Sequence, residues 1–172
     1  ERFGVDETFP IDDCLHTPFG ASKLAADILV QEYRHTYGLE TVVLRGGCLT
    51  GKSGSPVELQ GFLGYLVHCA VKKKPYTIYG YGGFQVRDNI DAFDLAEAIL
   101  IAKPGVYNMG GGPDNSISVL EAIEYLIDRH SCQFDVSRGP PRLGDHKWYG
   151  SDTRKFEKAH RQWRRTKGIH DI

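Results

Sequence analysis

Two hydrophobic periods alternate along this chain, and that alternation limits its fold more than any other feature. Short runs rich in β-branched and aromatic residues, at 41–44, 76–79, 86–90, 106–109 and 133–136, read as strands, and apolar residues recur at helical spacing between them. The spacing predicts a first helix over 19–37, with Leu24, Ala25, Ile28, Leu29 and Tyr33 on one stripe. Thr17-Pro18 opens it and Gly38 ends it. A second helix is expected over 58–73, with Leu59, Phe62, Leu63, Leu66, Val67 and Ala70 on one face. Asp91 can cap a third that runs to about 102, Ser116 or Ser118 a fourth that runs to about 130, and a short fifth is expected over 153–160. The run 41–44 reads as a buried strand, 46–56 as a glycine-rich loop, 138–149 as irregular, and 1–18 as a polar, turn-rich loop. Strands alternating with helices of these lengths argue for an α/β fold.

Bulk composition removes several function classes. At 172 residues the chain can bury roughly 70% of its unfolded surface. A formal net charge of -1 sets up no global field for nucleic acid or an anionic membrane, and no apolar run reaches the length of a membrane span. The basic stretch 154–167 reads as a solvated helical face, with a nucleic-acid patch as the competing reading. Cys14, Cys48, Cys69 and Cys132 lie far apart with no C-x-x-C pair, so a zinc site or disulfide framework is not expected; reduced thiols fit a cytoplasmic protein. The chain opens at Glu1 rather than methionine, so a preceding segment is expected.

One five-residue stretch points at chemistry. Phe19 and Lys23 stand four apart on the first predicted helix, which places both side chains on one face. The pair resembles the Tyr-x-x-x-Lys signature of short-chain dehydrogenases/reductases, with phenylalanine at the tyrosine position. After it come Leu44-Arg45-Gly46-Gly47-Cys48-Leu49-Thr50-Gly51, Val57-Glu58-Leu59-Gln60-Gly61-Phe62, Tyr79-Gly80-Tyr81, Gln85-Val86-Arg87-Asp88-Asn89-Ile90, Tyr107-Asn108-Met109-Gly110-Gly111-Gly112 and Arg142-Leu143-Gly144-Asp145-His146. This ordered series resembles the extended short-chain dehydrogenase/reductase family of NAD-dependent nucleotide-sugar epimerases and dehydratases. Its wording is most similar to the CDP-paratose 2-epimerase (CDP-tyvelose epimerase) branch.

The resemblance implies a role for each matching residue. Lys23 would hold the nicotinamide ribose of NAD, and Phe19 stands where the family's proton-carrying tyrosine does. Gly46, Gly47 and Cys48 would follow the strand that faces the nicotinamide, with Cys48 reading as a buried small residue rather than a nucleophile. Arg87 and Arg142 would clamp the diphosphate of a nucleotide sugar, because a guanidinium fork matches phosphate oxygens in geometry and charge. Asp145 would bind the nucleotide ribose and Tyr79 would flank the base. Glu58 and Gln60 would border the nucleotide at a loop-to-helix entry. The plainer readings stay open beside these: a surface lysine, a core phenylalanine, two surface ion pairs, a half-buried strand aromatic, a first-turn acid. Asp94 is expected to support a helix start, and His16 and His146 border the cleft or lie on the surface.

The same resemblance shows what these residues lack. No Gly-x-x-Gly-x-x-Gly turn, which would bind the dinucleotide pyrophosphate at a helix N-terminus, occurs in the sequence. The expected architecture is the C-terminal portion of a Rossmann-type doubly wound parallel sheet plus a smaller α/β substrate-binding domain. Residues 1–56 would end the dinucleotide-binding domain, and 57–172 would mainly form the nucleotide-sugar domain, with some segments returning to the Rossmann sheet. The implied activity is NAD-dependent epimerisation of a nucleotide-diphosphate sugar, with this segment inactive alone. The alternative is a non-catalytic epimerase-like binding or scaffold subunit. A homodimer, or a partner chain supplying the N-terminal half, follows from either; nucleic acid and membrane do not.

Overall fold

The structure is a computed structural model that describes residues 3–58 and 60–172; Leu59 of the second helical stripe lies outside them, as do Glu1 and Arg2 of the opening loop. Helix α1 (Pro18–Tyr37) starts where the hydroxyl of Thr17 accepts from the N–H of Gly20 at 3.2 Å. It stops at Gly38, whose φ of 67° lets its N–H turn back to the carbonyl of Arg34. Strand β1 (Val42–Gly46) follows and pairs in parallel with β5 (Gly105–Met109), from Val42 opposite Gly105 to Gly46 opposite Met109.

Strand β4 (Val86–Asp91) organises the second sheet. It pairs in parallel with β2 (Cys48–Thr50) and β8 (Trp148–Tyr149) and antiparallel with β6 (Ser116–Ser118). A third pair joins β3 (Tyr76–Tyr79) to β7 (Val136–Gly139) in parallel. Helices α2 (Phe62–Lys72), α3 (Ala92–Ile101), α4 (Val119–His130) and α5 (Arg154–Ala159) complete the α/β fold. Helix α4 begins in a capping box in which Ser118 and Glu121 bond each other's backbone N–H groups.

Two apolar clusters hold these layers. Leu66, Cys69, Ile78, Val119 and Ile123 join α2, β3 and α4. Ile90, Tyr107, Met109, Phe156 and Trp163 join β4, β5 and α5. No helix of the described residues is long and apolar enough to cross a membrane.

Several expectations need correction. The stripe of α1 is not buried: Ile28, Leu29 and Tyr33 are about half exposed, because among the described residues the helix lies against β1 and little else. For the same reason β1, paired on one edge only, is half-buried rather than buried. The glycine-rich segment 46–56 contains β2, which is recruited by pairing with β4. The second helix starts only at Phe62, since Gly61 takes a left-handed φ of 66° and Val57 bridges Gln60 just before it. The strand expected at 133–136 is displaced to β7, and two short strands, β6 and β8, carry no period long enough to be read.

The basic tail exposes Arg154, Lys155, Lys158, Arg161 and Arg164 as a solvated face, but it also buries anchors that the expectation did not include. His160 and Trp163 are buried, Trp163 Nε1 donates to the Asp94 carbonyl at 3.0 Å, and Thr166 donates to the Asp94 carboxylate through N–H and O–H at 3.0 and 2.6 Å. Lys167 pairs with Asp91 at 2.9 Å. Asp94 therefore anchors the tail at the head of α3. Trp163→Ala should cost about 3–5 kcal/mol in urea unfolding, and Trp163→Phe only about 1 kcal/mol for the lost hydrogen bond. A loss below about 1 kcal/mol for the alanine variant would contradict this packing.

Candidate functional site

Five of the six residues expected to hold a nucleotide sugar line one cavity: Glu58, Tyr79, Arg87, Arg142 and Asp145. Three elements bring them together. Strand β4 carries Arg87, β3 carries Tyr79, and the loop after β7 carries Arg142 and Asp145. Arg87 is fixed by donation to Asp145 Oδ1 at 2.6 Å and to the carbonyls of Val86 at 2.7 Å and His146 at 2.5 Å. Arg142 reaches the same Asp145 oxygen at 3.4 Å. One carboxylate thus faces two guanidinium groups, and Glu58 on the same lining balances the second positive charge. The Asp145 side chain is only 6% exposed, and its second oxygen, Oδ2, has no hydrogen-bond partner.

The floor of this cavity was less legible. Tyr79 donates to Glu58 at 3.3 Å, and Gln85 donates to the Tyr79 carbonyl at 2.7 Å. Phe62, Tyr65 and Tyr76 add ring surface from α2 and β3. Gln85 stands two residues before Arg87, so the strand period could have flagged it; the aromatic residues read only as core. Gln60 does not join the lining, because the turn that bridges it to Val57 leaves it exposed.

Lys23 lies elsewhere, in an open groove with Phe19, Gly46, Gly47 and Leu49. Its Nζ is 5.5 Å from the Phe19 ring centre. Among the described residues Phe19 is 70% exposed rather than packed in a core. Cys48, expected beside Gly46 and Gly47, instead lines the arginine cavity, while its neighbour Leu49 lines the groove. Alternation along β2 turns consecutive side chains to opposite faces and so separates them. A third space lies beneath the N-terminal segment, among Cys14, His16, Arg45, Asn108, His146 and Tyr149.

Comparison with known proteins bears on this arrangement. Residues 4–110 match the NAD dependent epimerase/dehydratase family. The chain belongs to that family. A CDP-paratose 2-epimerase from Salmonella typhi is 33% identical over 168 residues, which is 91% of this chain and 49% of that protein. A dTDP-glucose 4,6-dehydratase from Xanthomonas campestris pv. campestris is 35% identical over 133 residues, 74% of this chain and 36% of its own length. Among solved structures, the UDP-glucose 4-epimerase of Thermus thermophilus in complex with NAD superposes with a TM-score of 0.80 at 26% identity, covering 99% of this chain and 57% of that one. The UDP-glucuronic acid 4-epimerase from Bacillus cereus, in complex with UDP-glucuronic acid and NAD, shares the fold with a TM-score of 0.77 at 24% identity, covering 93% of this chain and 52% of that one. The chain spans about a third to a half of the length of these curated relatives.

Within this member of the epimerase/dehydratase family, burial governs the titratable groups around the arginines. Burial first, and the Asp88 carboxylate second, push the Cys48 thiol up to about 11. Burial also raises the Tyr149 phenol, and burial together with Arg87 lowers the His146 imidazole. Cys48 is therefore a thiol wall, not a nucleophile. With iodoacetamide at about pH 8, only about one Cys48 in a thousand is thiolate. Peptide mass spectrometry should accordingly find exposed Cys14 labelled well before Cys48; equal rates would contradict the shift.

Proposed function

We propose that the chain serves an NAD-dependent epimerase acting on a nucleotide-diphosphate sugar, of the CDP-paratose 2-epimerase type. The observation that carries this reading is the pairing of Arg87 and Arg142 on one buried carboxylate in a cavity ringed by Phe62, Tyr65, Tyr76 and Tyr79. Two guanidinium groups suit a diphosphate, and the rings suit a base. Asp145 Oδ2, enclosed and unpartnered, would accept a ribose hydroxyl. Glu58 borders the base through Tyr79.

The Lys23 groove fits one end of the dinucleotide. The Lys23 ammonium would hold the nicotinamide ribose, with Gly46 and Gly47 lining the groove beside it without side chains to block a flat ring. Bound NAD would supply the hydride acceptor and donor for inverting a sugar carbon by way of a keto sugar. A pyrophosphate-binding glycine turn is absent from these residues, so this segment alone would not turn over substrate. On this reading residues 1–56 close the dinucleotide domain and 57–172 mainly form the sugar-nucleotide domain, with β5 returning to pair β1. The half-exposed stripe of α1 supports a partner surface, either a second copy or a chain bearing the glycine turn. A cytoplasmic setting fits four unpaired thiols.

One observation favours a second reading. Phe19 has no hydroxyl, as a non-catalytic subunit that kept only ligand binding would not need one. Thermal unfolding with CDP, UDP and NAD+ tests both. A nucleotide at about 100 times its Kd should stabilise the fold by about 2.7 kcal/mol, and Arg87→Ala with Arg142→Ala should abolish that gain. No shift with any of the three would sink the ligand site in both readings. A shift that survives the double variant would sink the arginine clamp.

A further inference from the structure

Phe19 leaves the Lys23 groove without a hydroxyl at position 19. The groove meets the space beneath the N-terminal segment at this point, and among the described residues only Ile11, His16, Gly20 and Arg45 line both. Ile11 and Gly20 cannot titrate. Arg45 stays protonated and is tied to Asp27 at 2.7 Å. From the geometry we infer that His16 takes over the proton transfer that a tyrosine at position 19 would perform, as general base and then general acid of the epimerisation proposed above, on which this inference rests.

The placement of His16 follows from the helix start. It precedes the cap Thr17, three residues before Phe19, and lines the same groove as Phe19 and Lys23. Thr17 is held by its hydroxyl to Gly20 at 3.2 Å and by its carbonyl to the N–H of Ala21 at 2.8 Å, which fixes the backbone that carries the imidazole. The thiol of Cys14 lies 3.5 Å from His16 Nε2 and orients the ring.

The other titratable groups around this point are otherwise engaged. Asp27 is bound to Arg45 and Gln31. The hydroxyl and backbone N–H of Thr8 hold the Asp6 carboxyl below the usual range. Tyr149 keeps its proton because burial raises it. His146 lines only the space beneath the N-terminal segment, and its carbonyl is occupied by Arg87. An imidazole can both accept a proton and return it.

The balanced step is short. Bound NAD would take up the hydride of the breaking sugar C–H bond, and the His16 imidazole would take the hydroxyl proton as the carbonyl forms. On return, hydride adds to the opposite face of that carbon and the imidazolium protonates the oxygen. Nothing is oxidised or reduced overall.

The test uses the NAD-loaded protein isolated from its source and a CDP-linked sugar substrate. His16→Gln should lower kcat by about 10²–10⁴-fold while leaving thermal stabilisation by CDP unchanged. The pH profile of kcat should change in His16→Gln. Adding Phe19→Tyr to His16→Gln should restore turnover with a different pH profile. The His16 ring signal in NMR, assigned by its absence from His16→Gln, should move when CDP-glucose is added at a concentration that raises Tm. Unchanged kcat in His16→Gln, a loss in His146→Gln instead, a ring signal that stays still, or a loss that Phe19→Tyr does not rescue would each overturn the inference alone. A parent protein that binds CDP yet turns over no nucleotide sugar would overturn both the inference and the epimerase reading.

Discussion

A single buried carboxylate holds the working parts of this structure in register. Asp88, fully enclosed on β4, accepts from the N–H of Gly112 at 3.1 Å and of Ser151 at 2.9 Å. A Cβ on Gly47 or Gly110 would run into its oxygens, and one on Gly111 would strike the carbonyl of Asn89. The entry to β2, the exit from β5 and the exit from β8 are thereby pressed against one residue. A carboxylate away from water is stable only with such donors around it. Its Oδ1 nevertheless has no partner, nor does the hydroxyl of Ser151 nearby. The charge also acts outward, raising the Cys48 thiol and the Tyr149 phenol.

Arg87 is the residue next to Asp88, and the strand period sends its side chain the other way, toward Asp145. The same alternation in β2 parts Cys48 from Leu49 and so divides the arginine cavity from the Lys23 groove. Two adjacent parallel strands, three residues in register, therefore separate the arginine cavity from a groove lined by glycines and a lysine. Removing Asp145 would leave Arg87 and Arg142 to repel each other across a half-buried space, where the lower dielectric makes like charges costly.

The outer face is organised differently. Helix α1 presents Phe19, Ile28, Leu29 and Tyr33 with little cover, and β1 offers a free edge. Its tie to the rest is polar: Arg45 to Asp27, and Thr41 Oγ1 to the Val30 carbonyl at 3.2 Å. The opposite side is closed by the tail, where Phe156, His160 and Trp163 pack against Tyr107. The chain is thus well packed around the arginine cavity and open around Lys23.

Much of this was legible. The helix bounded by Thr17 and Gly38, the cap at Asp91 and the β5 strand follow from local capping and period, which depend on neighbours in sequence. The order of motifs carried the family, and the residue types in them carried the expectation of a two-arginine diphosphate clamp. Strands β2, β6 and β8 were hidden because two or three residues have no readable period and exist only through pairing with β4. The tail's anchors were hidden because its exposed charges lie beside the buried aromatics, and composition averages over both. What the amino-acid order determined alone was helix ends, the α/β class and the chemistry available. What only the tertiary structure decided was which groups meet: Cys48 with the arginines, Gln60 with neither cleft, His16 between two. Those meetings depend on strand pairing and side-chain alternation across residues far apart in the chain, which no local pattern encodes.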